Sequence, residues 1–366
     1  AQRGITNNDN AGVSYYMVLP FTPDFVNLLP QNGVYPEHPI ERSNVLQTRD
    51  LTRNDETVNR FIGGGNAKYD LINTERQSLS FNVNGGIDQF SQRNAVYSPP
   101  ELFFEDDDQF PGTAVRGNHN NVNLNFNFSA QHSFFPAARG FSATTTAGVQ
   151  RSQVKFNSAN TVTRDLVSGQ ENVNQGARVE VFERRELVKD FAYFLQEQVL
   201  ALDERLFVSA GVRAERNSNN GDKDKYWLFP KAAASYRIPL GGMFLDELKL
   251  RAAVGQTGNP PLYGQKFTAF LTEVYDGRVA TRTGLVKGKP DIEPERQTEV
   301  EGGVDATLFD ERVSLAATVY QKTVKNLILQ RTLAMSTGFQ TEILQGAAPE
   351  QPGSEDRDAG TELRNR

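Results

Sequence analysis

The chain has 366 residues, 38% of them hydrophobic, a net charge of −6 and no cysteine. The charge excludes a nucleic-acid binder built on clustered Lys and Arg, and the missing thiols exclude a disulfide scaffold and thiolate metal sites. No run of eighteen apolar residues occurs, so no transmembrane helix is predicted. A negative mean hydropathy does not speak against a membrane β-barrel, because half of each strand faces a polar lumen. No signal peptide stands at Ala1, and the native start is expected upstream.

Residues 1–55 are predicted to be an irregular outer segment, since Asn7-Asn8-Asp9-Asn10 and five prolines interrupt any long element. Val18, Leu19, Phe21, Phe25, Leu28 and Leu29 are expected to pack there. Strands then follow in pairs over 56–345. The first is read over 59–71, and its partner sets Leu79, Phe81 and Val83 against Ser80, Asn82 and Asn84. A long loop is expected near 90–120. Val122, Leu124, Phe126 and Phe128 then oppose four asparagines, and Phe141, Ala143, Thr145, Ala147 and Val149 return.

After a polar loop over 157–177, the stretch 178–202 is long enough to cross a bilayer and project beyond it. Glu180 to Glu186 is charged on both faces and is placed above the bilayer, with Phe191 to Leu195 as the crossing part. Asp203-Glu204 turns the chain into Leu206, Val208, Ala210, Val212 and Ala214. A short loop at 217–222, a strand over 227–236 and a turn at Gly241-Gly242 follow.

The clearest alternation lies in Asp246 to Gln330. Leu248, Leu250, Ala252 and Val254 form one row, Val300, Val304, Ala306 and Leu308 a second, and Val313, Leu315, Ala317 and Val319 a third. Period two over this length predicts strands with one face in an apolar medium and one in water. Only Phe309 to Arg312 separates the last two rows, whereas 258–293 separates the first two. Short turn, long loop, short turn is the rhythm of a transmembrane barrel. Leu202-Asp-Glu-Arg-Leu206 also echoes Phe309-Asp-Glu-Arg-Val313, with Leu245-Asp-Glu-Leu248 as a third version.

The predicted fold class is therefore all-β: an antiparallel up-and-down transmembrane β-barrel, here about ten strands of a larger one. Leu248-Lys-Leu-Arg-Ala-Ala-Val-Gly-Gln-Thr-Gly-Asn-Pro260, Ile292-Glu-Pro-Glu-Arg-Gln-Thr-Glu-Val-Glu-Gly-Gly-Val-Asp305 and Ser314-Leu-Ala-Ala-Thr-Val-Tyr-Gln-Lys-Thr323 resemble successive strands of SusC/RagA-type TonB-linked outer-membrane transporters. The order and spacing of the three segments match that family. The resemblance implies a twenty-two-stranded barrel gated by an N-terminal plug, so residues 1–366 are expected to be a fragment lacking the plug. Residues 346–366 are expected to be an outer loop and the start of a truncated strand.

Candidate sites are few. Glu105, Asp106, Asp107 and Asp108 are weak calcium candidates without EF-hand spacing, and a solvated acidic loop is the plainer reading. His38, His119 and His132 are too scattered for a metal signature. No Gly-x-Ser-x-Gly elbow supports catalysis. Phe81, Phe126, Phe141, Tyr226, Trp227 and Tyr236 fall near strand ends, at headgroup level. Tyr97, Phe103, Phe104, Tyr263, Phe267 and Tyr275, with Phe110 and Phe270, lie in outer loops, where the first six are candidate ligand contacts. Glu299, Glu301 and Asp305 are expected to face the lumen.

No cofactor, enzyme activity or nucleic-acid partner is expected. The resemblance implies energised uptake of oligosaccharides or peptides across the outer membrane of a Gram-negative bacterium. The implied partners are outer-membrane lipid, TonB through N-terminal parts outside this chain, and a SusD-like lipoprotein. A passive porin or structural barrel is the alternative. A soluble β-sandwich would need evenly spaced strands, which the long loops do not allow.

Overall fold

The computed structural model describes residues 2–3, 15–106, 109–136, 140–240, 245–346 and 351–356. Its strands are β1 (Gln2–Arg3), β2 (Arg53–Asn73), β3 (Gln77–Ser98), β4 (Thr113–Phe134), β5 (Ser142–Arg164), β6 (Arg178–Ala201), β7 (Leu206–Asn217), β8 (Trp227–Pro239) and β9 (Leu245–Asn259). Three short strands follow, β10 (Phe270–Tyr275), β11 (Arg278–Thr283) and β12 (Val286–Lys287). The series ends with β13 (Glu295–Leu308), β14 (Val313–Lys325), β15 (Leu327–Thr332), β16 (Thr341–Gly346) and β17 (Gln351–Asp356).

One sheet takes in β1 to β9, β13, β14 and β17 in chain order. Ten of these are long: β2 to β9, β13 and β14. Neighbouring strands pair antiparallel from β6–β7 through β13–β14. This is the expected up-and-down meander, in which each hairpin meets its neighbour by a local turn.

The short turns line up. The Phe135 N–H donates to the Arg76 carbonyl (2.7 Å), Asp203 N–H to Gly140 (3.2 Å) and Arg237 N–H to Arg205 (2.8 Å). Glu311 N–H then donates to Asp246 Oδ2 at 3.1 Å. The described ends of these short connections thus share one hydrogen-bonded rim. The expected Gly241-Gly242 turn itself lies outside the described residues, as does most of 346–366.

Two of the turns share an unusual backbone. Leu202, Asp203 and Glu204 have φ of 57°, 54° and 65°, and Phe309, Asp310 and Glu311 have 57°, 55° and 64°. Three successive left-handed residues without glycine are costly, and the echo of sequence is an echo of conformation. The third version departs from it. Leu245 to Leu248 open β9 as ordinary strand, so that resemblance is one of sequence alone.

The chain divides into two compact units. The first comprises 1–63, 87–124 and 154–187. Here α1 (Tyr15–Val18) and α2 (Val45–Leu51) pack Val18, Leu28 and Val45 together. Asn44 caps α2: its Oδ1 accepts from the N–H groups of Leu46 (2.9 Å) and Gln47 (3.3 Å), while Nδ2 donates to the Leu28 and Pro36 carbonyls. Of the six residues expected to pack in this segment, only Val18 and Leu28 are buried. Leu19, Phe21, Phe25 and Leu29 are exposed, Leu19 and Phe21 on a single 3-10 turn around Pro20 that buries none of its residues.

This unit also corrects a loop. β3 runs to Ser98 and β4 begins at Thr113, so the connection is 99–112 rather than 90–120. Likewise β5 continues to Arg164 and shortens the next loop to 165–177. These extensions are mostly Ser, Gln, Asn, Thr and Arg, and their few apolar residues, such as Val96 beside Tyr97 and Ala114 beside Val115, are adjacent rather than alternating, so they show no period-two hydrophobic signal.

The second unit comprises 64–86, 125–153 and 188–366. Inside its long 260–294 connection, β10 and β11 form a hairpin turned by Asp276 (φ 48°) and Gly277 (φ 71°). Asp-Gly between two β-forming runs is a strong hairpin signal. A second small sheet has the order β12-β16-β15.

Candidate functional site

The registers of β6 to β14 sort every side chain onto one of two faces, since paired residues in an antiparallel sheet point the same way. Val199, Val208, Ala234, Ala252, Gly302 and Val319 form one row across six strands. Leu206, Tyr236, Leu250, Val304 and Ala317 form the next. On this face Leu195, Val208, Val212, Tyr236, Leu250, Val254, Val300, Val304, Leu315 and Val319 are all exposed. A contiguous apolar surface of this extent has no place in water and marks a face that meets lipid or protein.

Aromatic rings bound it. At the end away from the short turns, Phe191 and Tyr193 meet edge to face at 4.9 Å, and Arg216 stands over Phe191 and Tyr226. At the turn end lie Phe134, Phe141, Tyr236 and Phe309, each exposed. Residues 191–201 connect these levels, about the length a tilted strand needs to cross a bilayer.

The opposite face is polar. Its rows include Gln196–Gly211–Lys231–Gly255–Glu299–Lys322 and, nearer the turns, Phe207–Ser235–Arg251–Gly303–Thr318. Arg251 Nε donates to Asp305 at 3.2 Å, its Nη2 reaches the Thr318 hydroxyl, and Lys249 Nζ lies 3.7 Å from the same carboxylate. A Cβ on Gly303 would come within 2.6 Å of the Arg251 Cζ, so the guanidinium can cross β13 only over a glycine. Farther along, Arg213 donates to Glu215 (2.5 Å) and to Gln150 Oε1 (2.8 Å), with Asp190 at 3.7 Å. Asp190 lies just outside the crossing segment. Burial and then the nearby Glu215 charge push its carboxyl up to about 6.

Recesses lie along this face, two of them around Lys231. The larger, about 410 Å³, is lined by Phe194, Arg213, Glu215, Phe229, Lys231 and Gln256. The second, about 320 Å³, is lined by Lys231, Gly255, Gln297, Glu299 and Glu301. Glu299, Glu301 and Asp305 therefore share the polar face, opposite Val300 and Val304, as the alternation predicts. Sequence alone does not single out Lys231, Arg213 and Arg251, because their neighbours lie on other strands.

The candidate loop aromatics divide. Tyr97 lies at the end of β3 rather than in a loop and is buried against Ala114 and Leu166, while Phe104 is buried against Leu102, with Phe103 partly covered. Phe110 lies under Arg178. Tyr263, Phe267, Phe270 and Tyr275 are exposed, at 44%, 62%, 75% and 75%. Their loop is tied to the 218–226 connection: Lys266 Nζ donates to the Ser218 and Asn220 carbonyls, and Asn219 Nδ2 to that of Pro261.

The acidic stretch does not open to solvent at Glu105. That carboxylate is buried and accepts from Gly112 N–H at 2.9 Å and from the Thr113 hydroxyl at 3.5 Å, so it staples its own loop. The Asp106 side chain, Asp107 and Asp108 lie outside the described residues. No group of three metal-ligating side chains occurs among the described residues. His38 is buried. Its Nδ1 accepts from the N–H groups of Ile40 and Glu41, and Nε2 meets the Thr22 hydroxyl. His119 stacks on Phe156.

Known proteins show the same architecture. A family model described as "TonB dependent receptor-like, beta-barrel" matches residues 3–355. The chain belongs to this family. Among curated relatives, TonB-dependent receptor P26 of Formosa agariphila is 28% identical over 152 residues, which is 39% of this chain and 15% of that protein. TonB-dependent receptor P3 of the same organism is 26% identical over 140 residues, covering 36% and 14%. The RagAB peptide importer in its closed-closed state superposes with a TM-score of 0.71 at 15% identity, covering 92% of this chain and 38% of that one. In its open-open state the TM-score is 0.65, with 80% and 32% covered. At that identity the likeness is one of fold. The chain thus spans well under half the length of the proteins it matches.

Proposed function

We propose that residues 1–366 form part of the barrel wall of a SusC/RagA-type transporter in a Gram-negative outer membrane, taking up oligosaccharides or peptides with energy relayed by TonB. One observation carries this reading: across β6 to β14, an exposed apolar face bounded by aromatics is backed by a polar face with fixed ion pairs and recesses. Such a wall places hydrocarbon on one side and an aqueous path on the other. Glu299, Glu301 and Asp305 then face the lumen. The exposed Tyr263, Phe267 and Tyr275 offer stacking surface at the mouth, and a SusD-like lipoprotein would cover that mouth. Transport of this kind makes and breaks no covalent bond in the cargo.

Uptake of labelled oligosaccharide or peptide by cells carrying the full-length protein tests this. Uptake should vanish when TonB is deleted or the proton gradient is collapsed. Uptake that continues unchanged without TonB would favour the passive porin instead.

A further inference from the structure

We propose that Lys231 and the hollows on either side of it form a binding station for a small zwitterion with an apolar side group. The station's role in uptake rests on the transport reading above, whereas its chemistry does not. In its row, Lys231 is flanked by Gly211 on β7 and Gly255 on β9. Neither neighbour carries a side chain, and a Cβ at Gly255 would meet nothing within 4 Å. Gly255, which has no side chain, lines the second recess, the Lys231 stem leans over Gly211, and Lys231 lines both recesses.

Four cations on this face are already held. Arg213 is bound by Glu215 and Gln150, Lys249 and Arg251 by Asp305, and Arg237 by Glu247. Lys231 makes no ion pair or hydrogen bond among the described residues, and its Cε leans toward β7, 3.2 Å from where a Gly211 Cβ would stand. Its ammonium is therefore available for an incoming carboxylate. The larger recess adds the rings of Phe194 and Phe229, of which Phe229 is only 7% exposed. Those rings suit an apolar group adjoining that carboxylate. The second recess places Glu299 and Glu301 on the far side of Gly255 from Lys231, where they suit an ammonium. Carboxylates in both recesses repel a polyanion, so the station selects a molecule carrying one charge of each sign. The larger volume falls in the range of small-ligand sites.

Isothermal titration of the full-length protein with Phe-Phe dipeptide, its C-terminal amide and its N-acetyl form tests the station. The free dipeptide should bind about tenfold more tightly than either blocked form, a step of one charge contact. Lys231→Gln should abolish the preference for free acid over amide while leaving the melting temperature unchanged. Gly255→Leu, which has room for its side chain, should weaken all three ligands. A dipeptide that does not bind, or an acid-over-amide preference that survives Lys231→Gln, would overturn the station. If Lys231 served only to pair with Glu299, Lys231→Gln and Glu299→Gln would both lower the melting temperature and leave binding unchanged. Binding as predicted without TonB-dependent uptake would sink the transport reading and keep the station. Normal uptake with an unaltered preference in Lys231→Gln would do the reverse.

Discussion

Arg251 reaches Asp305 because Gly303, its register partner on β13, carries no side chain. A single missing methyl therefore joins three strands, β9, β13 and β14, on the polar face. Gly303→Val should displace the guanidinium and leave Asp305 to Lys249 alone. The expected loss is about 1–3 kcal/mol, the usual cost of forcing a side chain into a filled site. In an Arg251→Ala background the same substitution should cost far less. Denaturant titrations of refolded full-length protein check the difference, and equal losses in both backgrounds would contradict it.

The faces make a second prediction. Val304 and Ala317 pair on the apolar face, while Asp305 and Ala316 pair on the polar one. Val304→Arg should lower folding yield into vesicles by the equivalent of about 2–4 kcal/mol, the cost of an arginine at the lipid midplane. Asp305→Arg loses the Arg251 and Lys249 pairs but keeps its charge in water, so its folding yield should fall far less. Equal impairment would mean that the faces are misassigned.

The left-handed turns predict stabilisation. Replacing a non-glycine residue there relieves about 1–2 kcal/mol, less the 0.5–1 that glycine loses in chain entropy. Glu204→Gly and Glu311→Gly should each raise stability by about 1 kcal/mol. Leu202→Ile, which puts a β-branched residue at φ 57°, should lower it. Shifts in unfolding midpoint in micelles decide the sign.

Asp190 predicts a pH dependence. Its folded carboxyl holds its proton up to about 6, above the ordinary aspartate range, so the folded state binds the proton more tightly than the unfolded chain. Its contribution is therefore present below the unfolded value and is lost as pH rises from about 4 to 6. Asp190→Asn should flatten the fall in stability over that window. A slope identical to wild type would rule out this assignment.

Much of the sheet is legible in sequence because a half-buried strand writes its two faces as alternating residues. Leu250 and Val254 against Lys249 and Arg251 is the plainest instance, and the Phe309 turn follows from its length. Two parts are not legible. Strand extensions such as Arg116 to Asn121 are polar on both faces, so nothing distinguishes them from loop until their hydrogen bonds are seen. The polar-face contacts are set by register between distant segments: Gly303 matters to Arg251, and Gly211 and Gly255 to Lys231, only once the strands are side by side. The 270–283 hairpin is different, since Asp276-Gly277 announces it locally.

In the proposed wall, one face of β13 meets lipid and the other meets water. Residues 1–366 contain no cysteine, so in full-length protein cleared of any cysteine elsewhere, single cysteines can be placed at each position from 299 to 308 and spin-labelled in vesicles. Accessibility to apolar oxygen and to a water-soluble nickel relaxant should then alternate residue by residue. Positions 300, 304, 306 and 308 should favour oxygen, and positions 299, 301 and 305 should favour nickel. Uniform access to the water-soluble reagent along the strand would contradict the membrane wall outright.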